Sequence, residues 1–271
     1  MINRDYHIHT SYCDGRDKPE EMIKAAIEKG FETIGFTGHS PLQNESWCMS
    51  QTGAKEYFEE IESLKEKYKG KIEILCALEQ DYYSDKLPFY ESFDYVIGSV
   101  HCIETKDGLV SVDDTAQILK DAVDKHFGGD ALSFAEKYFE TASDVINKTK
   151  AQIVGHFDLL LKFNEKVPMF DTTHKRYIDA RNRALEKLAK ENVLFEVNTG
   201  AMSRGYRTTP YPEKATLKKL RELSADVILT SDCHNKTHLG YGFSEAYALL
   251  KECGFERIAY FSDGNIHFTE I

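Results

Sequence analysis

The chain has no run of about 18 apolar residues, so no segment is fit to cross a bilayer as a helix. It has no block of positive charge either: 34 Lys and Arg stand against 45 Asp and Glu, a formal net charge of −11. Polyanion binding needs clustered Lys and Arg to release counterions, which excludes long nucleic acid as a partner. Cys-x-x-Cys pairs are absent, and the six cysteines (Cys13, Cys48, Cys76, Cys102, Cys233, Cys253) are scattered. No signal peptide is recognisable, because Met1-Ile2-Asn3 leads straight into a strand-like run; reduced thiols in a cytoplasmic protein are expected. The Gly-x-Ser-x-Gly nucleophile pattern and the Gly-x-x-x-x-Gly-Lys-[Ser/Thr] phosphate loop are also missing. A net-negative chain that handles an anionic substrate therefore needs a local positive centre. Bound cations are the strongest such centres.

The 271 residues, 41% of them hydrophobic, suffice for one sizeable core. No repeat, low-complexity stretch or Pro/Gly/Ser-rich linker divides them, so a single domain over 1–271 is expected. Short apolar runs at 5–9, 33–37, 72–78, 95–100, 153–156, 193–197 and 227–230 read as strands. Between them, helical periodicity marks 19–29, 57–68, 133–146, 173–189, 212–223 and 244–253. Pro19 and Pro212 suit first helical turns, and Gly30 and Gly254 suit helix ends. Strand–helix alternation implies a parallel sheet with helical crossovers. The tail, 257–271, reads as a hairpin around Ser262-Asp263-Gly264-Asn265 that closes or covers an edge.

Polar residues choose between an open sheet and a barrel. His7/His9, His39, Glu79, His101, His156 and Asp232/His234 fall at the carboxyl ends of six of the seven expected strands. In an open sheet those ends spread along a line; in a barrel they converge on one mouth, where barrel enzymes keep their chemistry. His7 and His9 are two residues apart and share a face. Asp14 returns over the same strand end through a turn at Gly15, and Asp232 and His234 repeat the two-residue spacing at the last strand. Imidazoles with carboxylates suit Zn, Fe or Mn. Nine such groups exceed the needs of one ion, so two or three divalent ions are expected. His126, His174, His238 and His267 fall on helices, loops or the tail and are given no ligand role.

The motifs His7-Ile8-His9-Thr10, Asp14-Gly15, Thr37-Gly38-His39, Leu78-Glu79, Ser99-Val100-His101, Gly155-His156 and Ser231-Asp232-Cys233-His234 together resemble the polymerase-and-histidinol-phosphatase (PHP) superfamily. The resemblance implies a distorted seven-stranded (β/α)7 barrel holding up to three metal ions. It assigns His7, His9, Glu79 and Asp232 to the first ion. Glu79 bridges to the second with His101 and His156, and Asp14, His39 and His234 hold the third. Within the superfamily the chain is most similar to the L-histidinol-phosphate phosphatases, through Glu79-Gln80-Asp81-Tyr82, Gly155-His156-Phe157-Asp158-Leu159, Glu196-Val197-Asn198-Thr199-Gly200 and Ser203-Arg204. A helical insert at about 103–150, including Glu136 to Tyr138, also matches. Ser-Asp-Cys-His replaces the usual Ser-Asp-Ala-His, and Lys162 stands near the position of a phosphate-binding basic residue. A role in histidine biosynthesis is implied.

The expected reaction is attack on a phosphate monoester by a hydroxide bridging two ions, with Asp232 a candidate proton shuttle. Arg204 and Lys162 are the candidate phosphate-binding residues; a guanidinium can make two parallel hydrogen bonds to phosphate. Asp81, Asp158 and Glu104 are candidates for the cationic half of histidinol phosphate, or for orienting ligand histidines. Two alternatives stay open: a phosphoesterase for nucleotides or another small ester on the same site, and a non-catalytic metal-binding module. A module of the second kind would show a degraded ligand set, whereas here none is missing.

Overall fold

The computed structural model describes residues 3–43 and 45–271. Met1 and Ile2, the start of the segment expected to run into the first strand, lie outside the described residues. The elements follow as β1 (Arg4–Ile8), α1 (Pro19–Glu28), β2 (Thr33–His39), α2 (Gln51–Tyr68), β3 (Glu73–Asp81) and β4 (Val96–Ser99). Then come β5 (Cys102–Thr105), β6 (Gly108–Ser111), α3 (Ala116–Phe127), α4 (Ala131–Ala142), α5 (Val145–Thr149) and β7 (Ile153–Val154). The chain ends with α6 (Lys175–Leu188), β8 (Leu194–Asn198), α7 (Gly200–Ser203), α8 (Lys214–Glu222), β9 (Asp226–Thr230), α9 (Phe243–Glu252), β10 (Arg257–Ser262) and β11 (Asn265–Glu270). Among the described residues no helix is long and apolar enough to cross a membrane.

The main sheet runs β1-β2-β3-β4-β7-β8-β9-β10-β11. It has nine strands and not the expected seven, because the C-terminal hairpin adds β10, parallel to β9, and β11, antiparallel to β10. The sheet curls back on itself: Ile8 bridges Cys233 in parallel, and the His9 amide donates to the Cys233 carbonyl at 3.0 Å. The hairpin turns through Asp263 and Gly264, both at positive φ, as a two-residue loop requires. Its Phe261 stacks on Tyr95 at 4.7 Å and meets the edge of Tyr6. The tail thus helps fill the interior of the curl as well as extending the sheet.

The two faces of the sheet have separate cores. Ile34, Phe36, Ile74, Cys76, Leu78, Phe195, Val197, Val227 and Leu229 pack outward with the helices. Tyr6, Leu75, Ala77, Tyr95, Ile97, Ile153, Leu194 and Ile228 pack inward. Along each strand the inward file changes character: Leu75 and Ala77 lead to Glu79, Ile97 to Ser99, Leu194 to Glu196 and Asn198, and Ile228 to Thr230. One end of the curl is therefore an apolar plug and the carboxyl end is polar. β1 carries one extra residue between Asp5 and Ile8 relative to β2, a bulge that lets Tyr6 join the plug while His7 reaches the polar end.

Helices differ from the periodicity in two places. The helix expected from 57 begins at Gln51, capped by the Ser50 hydroxyl, which accepts from the Gly53 amide at 2.9 Å. The single helix expected over 133–146 is two, α4 and α5, separated at Ser143 and Asp144. The periodicity also misses α3 and the β5–β6 hairpin. Hairpin strands this short carry little period-two signal, and α3 buries only Leu119, Ala122 and Val123.

Candidate metal centre

The strand ends bring all nine singled-out side chains to one place. Glu79, at the polar end of β3 and only 1% exposed, is its centre. Its Oε1 lies 3.0 Å from His156 Nε2 and 3.4 Å from His101 Nε2, and accepts from the Ser99 hydroxyl at 2.7 Å. Its Oε2 faces His39 Nδ1 at 2.8 Å, His7 Nε2 at 3.2 Å and His9 Nε2 at 3.5 Å. Five imidazoles thus surround one carboxylate whose two oxygens point to different neighbours, which is the position a bridging ligand needs. Asp232 Oδ1 lies 3.3 Å from His9 Nε2 and 3.8 Å from His7 Nε2. Asp14, on the loop after β1, reaches His234 Nε2 at 3.0 Å and the rings of His9 and His39 at 3.6 Å. Gly15 permits this return by close approach: a Cβ there would sit 2.5 Å from the Thr10 nitrogen.

The donor atoms fit metal ions. His7–His9–Glu79, His39–Glu79–His101 and His9–Asp14–His39–His234 each offer ligand atoms within 4.8 Å of one another. These groups overlap the three sets implied by the resemblance, with His9 also near the third set and His39 also near Glu79. The buried His7 Nε2, His9 Nε2 and Glu79 Oε2 have no hydrogen-bond partner. Such atoms are costly to bury unless something coordinates them. Burial favours neutral rings at His7 and His101, but Glu196 and Glu79 for the first, and Glu79 and Asp81 for the second, outweigh it and raise both well above the usual imidazole range, so each sheds a proton as a metal ion binds. Burial pushes the Glu79 and Asp232 carboxyls up, but the imidazoles of His39 and His7 for Glu79, and Arg204 and His7 for Asp232, outweigh it and hold both well below the usual range. His9 is pushed down to about 3 by burial and by repulsion from His234 and His39, which leaves its ring neutral, as a ligand must be. Burial pushes the Cys13 thiol up to about 12 and raises those of Cys102 and Cys233, so these cysteines are protonated packing residues.

A cavity of ≈ 300 Å³ opens on the cluster. Besides ligand side chains it is lined by Arg204 and Lys162, by Glu45, Asp113 and Asp114, and by Trp47 and Tyr206. Arg204, just past α7, donates to the Asp232 carbonyl and carboxylate at 3.2 Å each and lies 2.8 Å from His234 Nδ1, leaving its Nε without a partner. Lys162 reaches the cavity but is held by Asp113, at 2.6 Å from its carbonyl and 3.0 Å from its carboxylate. Of the three acidic candidates for the substrate's cationic half, none lines the cavity. Asp81 accepts from both the backbone and ring nitrogens of His101. Asp158 is buried below the Glu213 amide, and Glu104 is exposed on β5. Glu45, Asp113 and Asp114 hold the places expected of them, and nothing in their local sequence marks them, since Asp-Asp and Asn-Glu pairs are common in loops. His126, His174, His238 and His267 stay outside the cluster.

Sequence reasoning also left β8 without a role at the site. Its Glu196, fully buried, contacts His7 Nδ1 at 2.5 Å and accepts from the His156 amide at 2.6 Å. A carboxylate and an amide two residues apart on an otherwise apolar strand, Glu196 and Asn198, were the available signal.

Comparison with known proteins places this geometry. The chain is 26% identical to a probable histidinol-phosphatase of Schizosaccharomyces pombe, over 95% of this chain and 89% of that one. It is 26% identical to the histidinol-phosphatase of Bacillus subtilis, over 93% of this chain and all of that one. The crystal structure of histidinol phosphate phosphatase from Lactococcus lactis, complexed with Zn, L-histidinol and phosphate, superposes with a TM-score of 0.72 at 25% identity, covering 97% of this chain and 98% of that one. The PHP domain pattern matches residues 5–200, which carry seven of the nine clustered side chains, and the chain belongs to the PHP family.

Proposed function

We propose that the protein is a metal-dependent phosphomonoesterase that hydrolyses L-histidinol phosphate to L-histidinol and phosphate, in histidine biosynthesis. The observation that carries this reading is a single cavity with two chemistries in its walls. The ligand cluster and Arg204 suit a phosphate, and Glu45, Asp113 and Asp114 suit the amine and imidazole of the alcohol. Among the described residues neither Glu45 nor Asp114 takes part in an ion pair, so their charge is free for a cationic ligand. The relatives named for histidinol phosphate, and the Lactococcus lactis complex with histidinol and phosphate, support the same substrate.

His7, His9, Asp14, His39, Glu79, His101, His156, Asp232 and His234 would hold two or three divalent ions, of Zn, Fe or Mn. Such ions lower the pKa of a coordinated water to ~7 and neutralise phosphate charge. The chain's own groups do the rest. Glu79 ties five imidazoles to one point. Arg204, already fixed by Asp232 and near His234, lines the cavity, where its guanidinium would meet a phosphate oxygen. Asp232 keeps Oδ2 on Arg204 and Asn198 and turns Oδ1 towards the cluster, a placement for taking and returning a proton. Lys162 joins the phosphate only if it gives up its contacts with Asp113. In this reading the seven parallel strands β1–β4 and β7–β9 act as the distorted barrel of a single catalytic domain. The segment 103–150 is its insert, and the turn after β6 walls the cavity through Asp113 and Asp114. The six free thiols accord with a reducing, cytoplasmic setting.

The test is kcat/KM of zinc-loaded protein for L-histidinol phosphate, an aryl phosphate and a mononucleotide. Histidinol phosphate should lead by several orders of magnitude. An equal or higher value for the mononucleotide assigns the site to nucleotide phosphoester chemistry instead.

A further inference from the structure

β8 ends beside the metal centre but contributes none of the nine clustered side chains. Its inward pair, Glu196 and Asn198, is nevertheless fully buried against them. Four donors converge on the Glu196 carboxylate. Oε1 contacts His7 Nδ1 at 2.5 Å and accepts from the Thr230 hydroxyl at 2.7 Å. Oε2 accepts from the His156 backbone amide at 2.6 Å and from the Asn198 side chain at 3.1 Å. The same Asn198 amide donates to Asp232 Oδ2 at 3.2 Å. One carboxylate therefore connects β1, β7, β8 and β9, and through Asn198 it reaches a further member of the cluster.

We propose that Glu196 is the positioning residue of the metal centre, holding a proton on His7 Nδ1 so that Nε2 is the nitrogen turned to the metal, while anchoring the backbone that carries His156. A buried imidazole facing a carboxylate through Nδ1 keeps a hydrogen there, so the proton given up when a metal ion binds is the one on Nε2. Such an outer carboxylate fixes tautomer and ring orientation and raises ligand basicity. Glutamine cannot replace it. Its amide has one accepting oxygen for two pairs of donors on opposite sides. If the NH2 group faces His7, Nδ1 must accept and the proton moves to Nε2, which removes that nitrogen as a ligand. If it faces His156, two N–H groups confront each other in a dry site.

The inference rests on the metal-binding reading and not on the identity of the substrate. Its test is competitive-chelator titration of zinc into wild-type, E196Q and E196D protein, alongside thermal melts of the metal-free forms. E196Q should bind zinc about 10- to 100-fold more weakly, with a metal-free form that still melts cooperatively but several degrees below wild type. E196D, which keeps two accepting oxygens on a shorter stem, should recover part of the affinity. A folded E196Q with wild-type zinc affinity overturns the inference and leaves the metal reading intact; wild-type protein that takes up no zinc overturns both. Should E196Q fail to fold, long-range 15N spectra of the His7 ring in zinc-loaded wild-type protein decide. A proton on Nδ1 supports the inference, and a bare Nδ1 overturns it.

Discussion

Replacing Gly200 by alanine should damage the metal centre while leaving the fold nearly untouched. Gly200 opens α7 without a left-handed backbone, so alanine is conformationally acceptable there and, by restricting the unfolded chain, is worth about 0.4–1 kcal/mol of stability. The obstacle is space. A Cβ at this position would lie 2.6 Å from Asp232 Oδ2 and 2.9 Å from both Asp232 Cβ and Arg204 Nη2. Reaching an ordinary contact of 3.4 Å requires a displacement of roughly 0.8 Å. Asp232 cannot supply it freely. It sits at φ 45°, its Oδ2 is held by Arg204 and Asn198, and its Oδ1 faces His7 and His9. The strain therefore passes to the carboxylate's aim at the cluster, where a misplacement near 1 Å costs about 10²-fold in rate. The assay pairs kcat/KM and bound zinc with a thermal melt: the first two should fall while the melting temperature stays within a few degrees. Wild-type turnover and zinc content in Gly200→Ala would refute the claim that Asp232's placement against Gly200 matters.

Three further outcomes follow from the same geometry. Glu79→Gln removes the charge shared by five imidazoles, so metal content should drop and turnover fall by orders of magnitude in a protein that still folds; full activity in a metal-free preparation contradicts this. Arg204→Ala should lower kcat/KM about 10- to 150-fold, from losing a charged hydrogen-bond partner worth roughly 1.5–3 kcal/mol. Because Arg204 also contacts Asp232 and His234, zinc affinity should fall too, and Arg204→Lys should rescue only partly; unchanged kcat/KM in Arg204→Ala removes the arginine from the mechanism. Glu213, 3.5 Å from Arg181, is raised from 4.5 to about 7, by burial first and then by Asp158. The folded state thus keeps a proton that the unfolded chain releases, so this stability is present below pH 4.5 and lost as pH rises through about 7. The gap corresponds to roughly 3 kcal/mol. Urea midpoints should decline from pH 5 to pH 8 in wild type and less in Glu213→Gln; parallel declines would rule the group out.

Much of the architecture is a local property and was legible in the sequence. Strand runs bounded by helical periodicity give the alternation directly, and each run can be located because period-two and period-3.6 burial differ within a few residues. The placing of histidines and carboxylates at strand ends was equally visible, since the parallel direction of the strands makes every carboxyl end a neighbour of the next. The C-terminal hairpin could be read from Asp263-Gly264, yet its use as part of the interior plug could not. That depends on Phe261 meeting Tyr95 and Tyr6, which lie at least 166 residues away in the chain.

What only the tertiary structure decided is which polar groups share a contact. Asp81, Asp158 and Glu104 looked equivalent from their closeness in sequence to cluster residues. The curl of the sheet sends the first to His101, the second beneath the Glu213 amide and the third to solvent. Lys162 was legible as a charge near His156, but its hold on Asp113 depends on the loop after β6 folding over the polar end of the curled sheet. Glu196 has the same explanation. Its partners His7, His156 and Thr230 are 189, 40 and 34 residues away, brought within hydrogen-bond reach by register between strands and by the bulge in β1. Periodicity along a chain reports which face a side chain takes. Distances across a curled sheet depend on twist, register and bulges, which arise only when the strands pack together.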